Sequence, residues 1–231
     1  MTDTLSQSPS LAELYKRAGA SDTDRVAWLT QRLGGVTATQ ARELYLQGVG
    51  YRARLLQDKA QGALEAFVAN QYVAWGNKRE PVIAAWAQER FAIVPESRVF
   101  HAADNHRLLA SPDGIGVDFD GNLVIDEIKT GKDDIAPGTE AFDRKGYRLQ
   151  CIWGMRVTGA RRCRYIWEQH DSDWQDRGGE FLEPAPLHAE PMSEWIEYDE
   201  ALAAELEAIA LDFLVDLDVM VRDLADGVQP V

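Results

Sequence analysis

Asp113, Glu127 and Lys129 are the residues of this chain whose types and spacing suit chemistry. Asp113 stands in Ser111-Pro112-Asp113-Gly114, and the other two in Asp126-Glu127-Ile128-Lys129. Between them, Asp120-Gly121 separates two β-prone runs, which is a hairpin signal. The arms are expected over residues 107–117 and 123–130. A two-residue turn would pair Phe119 with Asn122 and bring Asp113 within about one residue of facing Glu127. Alternation along the second arm points Glu127 and Lys129 the same way. Two carboxylates offer the oxygen ligands that a hard cation such as Mg²⁺ takes. A cation held so polarises a phosphoryl oxygen and activates water for in-line attack. The lysine adds a point charge for the phosphate or the attacking water. Each piece also has a plain structural reading. Ser-Pro-Asp-Gly is an ordinary turn, and Glu-x-Lys on a strand is often a solvated ion pair. Asp120 belongs to the turn, Asp126 should face away from Glu127, and Asp118 stays open as a ligand.

The elements that must position these residues follow from pattern. Short helices are expected over 11–19 and 22–31, the second capped by Ser21 or Asp22 with Trp28 and Leu29 on its apolar face. Arg32-Leu33-Gly34-Gly35 then makes a turn, and Thr37-x-x-Gln40 is a capping box opening a helix to about residue 47. Arg32, the threonine hydroxyls and free N–H groups together make a ready anion site. Alternatively, Thr37 only caps and Arg32 is solvated. Leu64, Phe67, Val68 and Tyr72 follow helical spacing, and a helix is expected over 77–90. Glu80 would lie in its first turn, where the helix dipole favours a carboxylate; the other reading makes it a third acid aimed at the metal site. A strand is expected over 97–101, with His101 and His106 as surface residues. Residues 131–146 read as a long polar loop able to close over substrate. A helix over 147–157 places Tyr147, Gln150, Cys151 and Gly154 on one side. A strand over 161–167 carries Arg161, Arg162 and Arg164, either a phosphate patch or a solvated edge. Residues 174–191 read as loop. The last helix, 199–226, has an apolar stripe from Leu202 to Leu224 that packs on its own domain or on a partner.

Composition bounds the rest. The chain has 231 residues, enough for one domain with a sizeable core. Its two cysteines, Cys151 and Cys163, have no metal-ligand spacing and suit burial in a reduced, cytoplasmic setting. No run approaches a membrane span, and residues 1–10 are polar and expected to be disordered. The net charge of −14 is unevenly placed. Residues 1–164 hold 22 Lys and Arg against 20 Asp and Glu, while residues 165–231 hold two against 18. Acidity therefore does not exclude nucleic acid, but any DNA path should avoid the C-terminal surface.

Five segments, taken in order from residue 28 to 167, carry a resemblance. They are Arg32-Leu33-Gly34 with Thr37-Ala38-Thr39; Trp75-Gly76-x-x-x-Glu80; Ser111-Pro112-Asp113-Gly114; Glu127-Ile128-Lys129; and Tyr147-x-x-Gln150 with Trp153-x-Met155. The set resembles the phage lambda exonuclease-like, or YqaJ-type, viral recombinases of the PD-(D/E)XK nuclease superfamily. Thr39 stands where the family usually has Ser, which keeps the hydroxyl, and the turn after Arg32 reads as one residue longer. The resemblance implies an α/β (α+β) fold: a central mixed β-sheet flanked by helices, a restriction-endonuclease-like core, and here an acidic C-terminal helical extension over 192–231, all in one domain. It implies Asp113 and Glu127 as metal ligands, with the Ile128 carbonyl a third and Glu80 joining directly or through water. By the same likeness Lys129 assists the attacking water, and Gln150 orients Lys129 or the water. Arg32, Thr37, Thr39 and Tyr147 would bind DNA and its 5′-phosphate. The cofactor would be Mg²⁺, with Mn²⁺ as substitute. The activity would be 5′→3′ exonucleolysis of double-stranded DNA ends in phage recombination, by a homotrimer serving a single-strand annealing protein in the bacterial cytoplasm.

Two other readings stand beside it. One keeps the site in an endonuclease or single-strand nuclease. The other is a catalytically silent protein that binds a partner through its acidic helix.

Overall fold

The structure is a computed structural model that describes residues 10–63, 70–171, 175–176, 181–182 and 184–227. The expected helical positions Leu64, Phe67 and Val68 lie outside them. In chain order the elements are α1 (Leu11–Tyr15), β1 (Ala18–Ser21), α2 (Arg25–Leu33), α3 (Ala38–Gln47), α4 (Val49–Ala60), α5 (Gln71–Phe91), β2 (Val94–Pro95), β3 (Arg98–His101), β4 (Leu109–Ala110), β5 (Gly114–Val117), β6 (Leu123–Gly131), α6 (Glu140–Lys145), α7 (Tyr147–Thr158), β7 (Arg162–Gln169), β8 (Gln175–Asp176), β9 (Phe181–Leu182), β10 (Met192–Glu197) and α8 (Glu200–Ala225).

The central sheet has the order β10-β7-β6-β5-β2. Only β6 and β7 run parallel, joined through α6 and α7; the other neighbours are antiparallel, so the sheet is mixed. Its two faces are covered differently. Ile115, Leu123, Ile125, Cys163 and Tyr165 pack with Trp153 and Cys151 of α7 in the main core, which also takes in α3, α4 and α8. Ile128 and Ile166 point the other way, onto Ile83, Ala84 and Ala87 of α5. The period of two along β6 therefore assigns Glu127 to the α7 face and Asp126 to the α5 face. The fold is the expected α/β arrangement, with a further three-stranded sheet, β1-β3-β4, and a short β8–β9 ladder.

The hairpin forms, but with a wider turn than the sequence suggests. Val117 pairs with Leu123, and Asp118 N donates to Asn122 O at 2.9 Å, leaving Phe119-Asp120-Gly121 as the loop. The Asp118 carboxylate accepts from the backbone N–H groups of Asp120 (3.0 Å) and Asn122 (2.9 Å). Gly121 supplies the left-handed conformation, φ +82°, that closes a three-residue loop. Phe119 therefore does not pair with Asn122, and Asp118 serves the turn. Gly114 pairs with Asp126, and one step further Asp113 comes opposite Glu127.

The first arm is not one strand. Pro112 cannot donate to a ladder, and the chain changes sheets there, from β4 to β5. Other boundaries shift for local reasons. Residues 18–21 form β1 instead of extending the first helix. Asp24, not Ser21 or Asp22, caps α2. Asn70 caps a long α5, so Trp75-Gly76 lie inside the helix and Glu80 in its middle, with Pro81 after it. Residues 131–146 contain α6, capped by Thr139, and the segment before it is anchored by buried Ile135, whose carbonyl accepts from the Tyr165 hydroxyl at 3.1 Å. It is not an open lid.

Helix α8 runs as expected from its Asp199 cap, burying Leu206, Phe213, Leu214 and Leu217 against α3, α4 and α7. Its acids meet arginines from the first part of the chain. Arg52 bonds Asp212 and Asp216, Arg107 bonds Asp218, and Arg156 bonds Glu207. The C-terminal extension is not wholly helical, because β10 enters it as an edge strand of the central sheet.

Candidate active site

Ser111-Pro112-Asp113 leaves β4 as the chain turns into β5, and Asp113 arrives beside β6 with its side chain doing backbone work. Its Oδ2 accepts from Ile128 N at 2.6 Å. Glu127 and Lys129 point to the same face of β6, where the lysine ammonium donates to Glu127 Oε1 and, at 3.1 Å, to the Ile128 carbonyl. From α7, Gln150 Nε2 donates to the same Glu127 oxygen at 2.5 Å. Tyr147 lies one turn earlier on α7, with the Lys129 ammonium 5.9 Å from its ring centroid. Glu127, Gln150 and Tyr147 are all buried.

The electrostatics are those of a crowded anionic pocket. Burial, and then the charge of Glu127, push the Asp113 carboxyl well above the usual range, with Glu80 adding to it and Lys129 opposing. Burial alone would lower Lys129, but Glu127 and Asp113 outweigh it and hold the ammonium charged. A lysine so held donates hydrogen bonds and does not take protons.

Glu80 keeps an exposed surface on α5, yet it belongs to the same field. Desolvation pushes its carboxyl up, Lys129 pulls it down, and Glu127 and Asp22 raise it. Being mid-helix, it has no first-turn dipole to explain it, which removes the plain structural reading. Its neighbour Arg79 grips buried Glu168 of β7 with two bonds of 2.8 and 2.6 Å, pinning this turn of α5 to the sheet.

The residues expected at a 5′-phosphate separate into two places. Arg32 ends α2, its guanidinium 3.9 Å over the Trp28 ring, and lines a cavity of about 380 Å³ with Gln40, Tyr51, Arg54 and Lys59. Thr37 is buried and caps α3; its Oγ1 accepts from Gln40 N at 3.4 Å while Gln40 Oε1 accepts from Thr37 N at 3.1 Å. Thr39 is exposed on the first turn. Tyr147, by contrast, stands with Lys129. Arg162 and Arg164 stack on Trp195, at 4.5 and 4.0 Å, on the face away from Glu127.

Pattern reading missed three contributors. Buried Lys59 donates to the carbonyls of Arg32 (2.5 Å) and Leu33 (3.3 Å), neutralising the C-terminus of α2. Arg107 donates to Gly34 O at 2.8 Å and so ties the turn after Arg32 to Asp218 of α8. Arg42 of α3 donates to Gln150 Oε1 at 3.0 Å. All three are long-range contacts of solvent-type residues, for which no local signal exists.

A mixed sheet with an Asp…Glu-x-Lys set at its hairpin is the PD-(D/E)XK arrangement. The chain belongs to the YqaJ-like viral recombinase family, whose model matches residues 27–161. The alkaline exonuclease LHK-Exo from Laribacter hongkongensis shares its fold, with 23% identity over 87% of this chain and 96% of that one, at a TM-score of 0.65. The same exonuclease in complex with dAMP gives 24% identity, the same coverage and a TM-score of 0.64. A phage-related exonuclease from Haemophilus somnus gives 13% identity over 84% of this chain and 96% of that one, at 0.57. No curated protein matches the chain in sequence.

Proposed function

We propose that this chain is a Mg²⁺-dependent exonuclease that degrades double-stranded DNA 5′→3′ from its ends. The observation that carries the reading is the meeting of Asp113, Glu127, Lys129 and Gln150 on one face of β6, in a fold shared with solved exonucleases.

The donor set fits a hard cation. Among the described residues no three of His, Cys, Asp and Glu stand together as a ready cage. Two carboxylates, Asp113 and Glu127, and the Ile128 carbonyl are all oxygen donors, and Mg²⁺ commonly takes one or two carboxylates and leaves its other positions to water and phosphate. Burial, and then the charge of Glu127, raise Asp113, and a cation would offset both. When bound, the metal supplies a polarised phosphoryl oxygen and an activated water. Mn²⁺ offers similar chemistry.

The chain's own residues do the rest. Lys129, held as an ammonium, orients the attacking water and balances charge on the phosphate. Gln150 fixes Glu127. Glu80, outside direct reach of a cage, acts through water. Arg32 and Thr39 receive the 5′-phosphate, with Thr37 shaping the helix start. Tyr147 closes the catalytic side behind Lys129.

The whole described chain serves one nuclease domain, because β10 completes the sheet and α8 the core. By the family's likeness the enzyme works as a homotrimer, hands its 3′ strand to a single-strand annealing protein, and acts in the cytoplasm of a phage-infected or lysogenic cell. Among the described residues no helix is long and apolar enough to cross a membrane.

The test is duplex DNA labelled at either end, with and without a 5′-phosphate, incubated with Mg²⁺. Progressive shortening of the 5′-phosphorylated strand supports the reading. Cuts in closed circles would move it to an endonuclease, and no cleavage with Mg²⁺ or Mn²⁺ would overturn it.

A further inference from the structure

We infer that Arg42 is a positioning residue that sets the amide of Gln150, and that α3 thereby links the 5′-phosphate pocket to the catalytic carboxylate. The inference rests on the exonuclease reading above and deepens it.

Gln150 sets a primary amide between two partners of opposite kind. A glutamine side chain offers a carbonyl oxygen at one corner and an NH₂ at the other. Glu127 Oε1, which also accepts from the Lys129 ammonium, serves as an acceptor here, so the corner facing it must be NH₂. An arginine only donates, so the corner facing Arg42 must be the carbonyl. The observed contacts agree: Arg42 Nη1 donates to Gln150 Oε1 at 3.0 Å, and Gln150 Nε2 donates to Glu127 Oε1 at 2.5 Å. Neither partner alone would exclude the flipped amide as firmly as both together. A flipped amide would present oxygen to the carboxylate, repelling the group that must hold a cation.

Arg42 is itself held. Its Nε and Nη2 bond the Glu43 carboxylate. Its aliphatic stem lies against Gly146, the residue preceding α7, where an added Cβ would come 2.9 Å from Arg42 Cγ and 2.7 Å from Leu46 Cδ1. The close approach of α3 to the start of α7 is therefore built around this stem.

Position along α3 supplies the link. Thr39 and Arg42 are three residues apart, neighbours on one side of the helix. The same ten-residue helix is thus capped by Thr37, carries Thr39 in its first turn beside the proposed phosphate pocket, and reaches Gln150 through Arg42 one turn later. A phosphate drawn to the first turn shifts or stiffens the helix that fixes Gln150. DNA ends with a 5′-phosphate should then be cut faster, beyond being bound more tightly.

Three variants test this: Arg42→Met, Arg42→Lys and Gln150→Ala. Arg42→Met should lower kcat about tenfold with KM within about threefold, the split expected for a lost alignment. It should also bring the kcat ratio of 5′-phosphate to 5′-hydroxyl duplex toward one. Arg42→Lys, which keeps a donor, should restore most of kcat. In a Gln150→Ala background Arg42→Met should add little, since the two act in one chain. Mn²⁺ affinity, titrated without DNA, should fall in Arg42→Met and recover in Arg42→Lys. An unchanged kcat and Mn²⁺ affinity in Arg42→Met would overturn the positioning role, as would an undiminished loss in the Gln150→Ala background. A phosphate preference in kcat that survives in Arg42→Met would overturn the link through α3. Failure of the underlying reading looks different: Arg32→Ala would leave the 5′-phosphate preference intact, or the wild type would not cut DNA ends.

Discussion

Asp126 and Glu127 are neighbours on one strand, and they lead opposite lives. Glu127 faces α7 and is bonded by Lys129 and Gln150. Asp126 faces the other way, 1% exposed, toward Gly114, whose missing side chain makes the room: a Cβ there would stand 2.5 Å from Asp126 Oδ1. That oxygen has no hydrogen-bond partner among the described residues. Burial, then the charges of Glu127 and Glu80, raise its carboxyl to about 8. The α5 face can satisfy an acid, since on β7, four residues past Asp126's partner Arg164, Glu168 receives both arms of Arg79. The lesson is that burial alone does not mark a functional acid. At the proposed site burial comes with hydrogen bonds from a lysine and an amide; Asp126 has burial without them and is held neutral below about pH 8 instead.

The comparison can be broken at several points. Glu127→Ala should cost the most, at least about 10³-fold in cleavage rate, with the circular dichroism spectrum kept. Normal activity would move the site elsewhere. Lys129→Ala should lose about 10²-fold, and because its charge is what matters, Lys129→Arg should recover part of it. On the other face, Arg79→Met should leave Glu168 buried and alone, at a cost of about 3 kcal/mol in a denaturant melt. A loss under about 0.5 kcal/mol would mean that the pair is not desolvated.

Asp126→Asn should go the other way. The folded carboxyl titrates near 8 and the unfolded one near its ordinary value of about 4. Its stabilising contribution is full below about pH 4 and is lost as pH rises toward and through 8. Asparagine never ionises, so the variant should melt with the wild type below about pH 4 and several degrees above it at pH 9, with cleavage within a few-fold. A wild type as stable as the variant at pH 9 would show that Asp126 finds a partner. The smallest change is Phe119→Ser at the hairpin tip, where the side chain is fully exposed; stability should move by less than about 0.5 kcal/mol. A larger drop would mean that the loop is packed against something.

Much of the layout of the proposed site was legible because its signals are local. The Glu127-x-Lys129 spacing puts both on one face by strand geometry alone. The Thr37-x-x-Gln40 box forms as read, and the α7 and α8 spans follow from apolar periodicity and, for α8, the Asp199 cap. The one-residue uncertainty in register fell to the Asp118 side chain, whose two bonds select the three-residue loop. Glu80 was misplaced within its helix because an asparagine ten residues upstream, Asn70, starts it. Arg42, Lys59 and Arg107 carry no local signal, since nothing nearby in sequence names their partners.

By itself, then, the sequence determined which residues share a strand face or a helix cap, because backbone periodicity and capping act over three or four positions. Tertiary structure decided which of those faces meet. It set Gln150 and Arg42 beside Glu127, and left Tyr147 with Lys129 and not with Arg32. It also turned the acids of α8 toward Arg52, Arg107 and Arg156 across gaps of tens to more than a hundred residues. Such pairings depend on how layers stack around the core, and a charged side chain carries no mark of the partner it will find there.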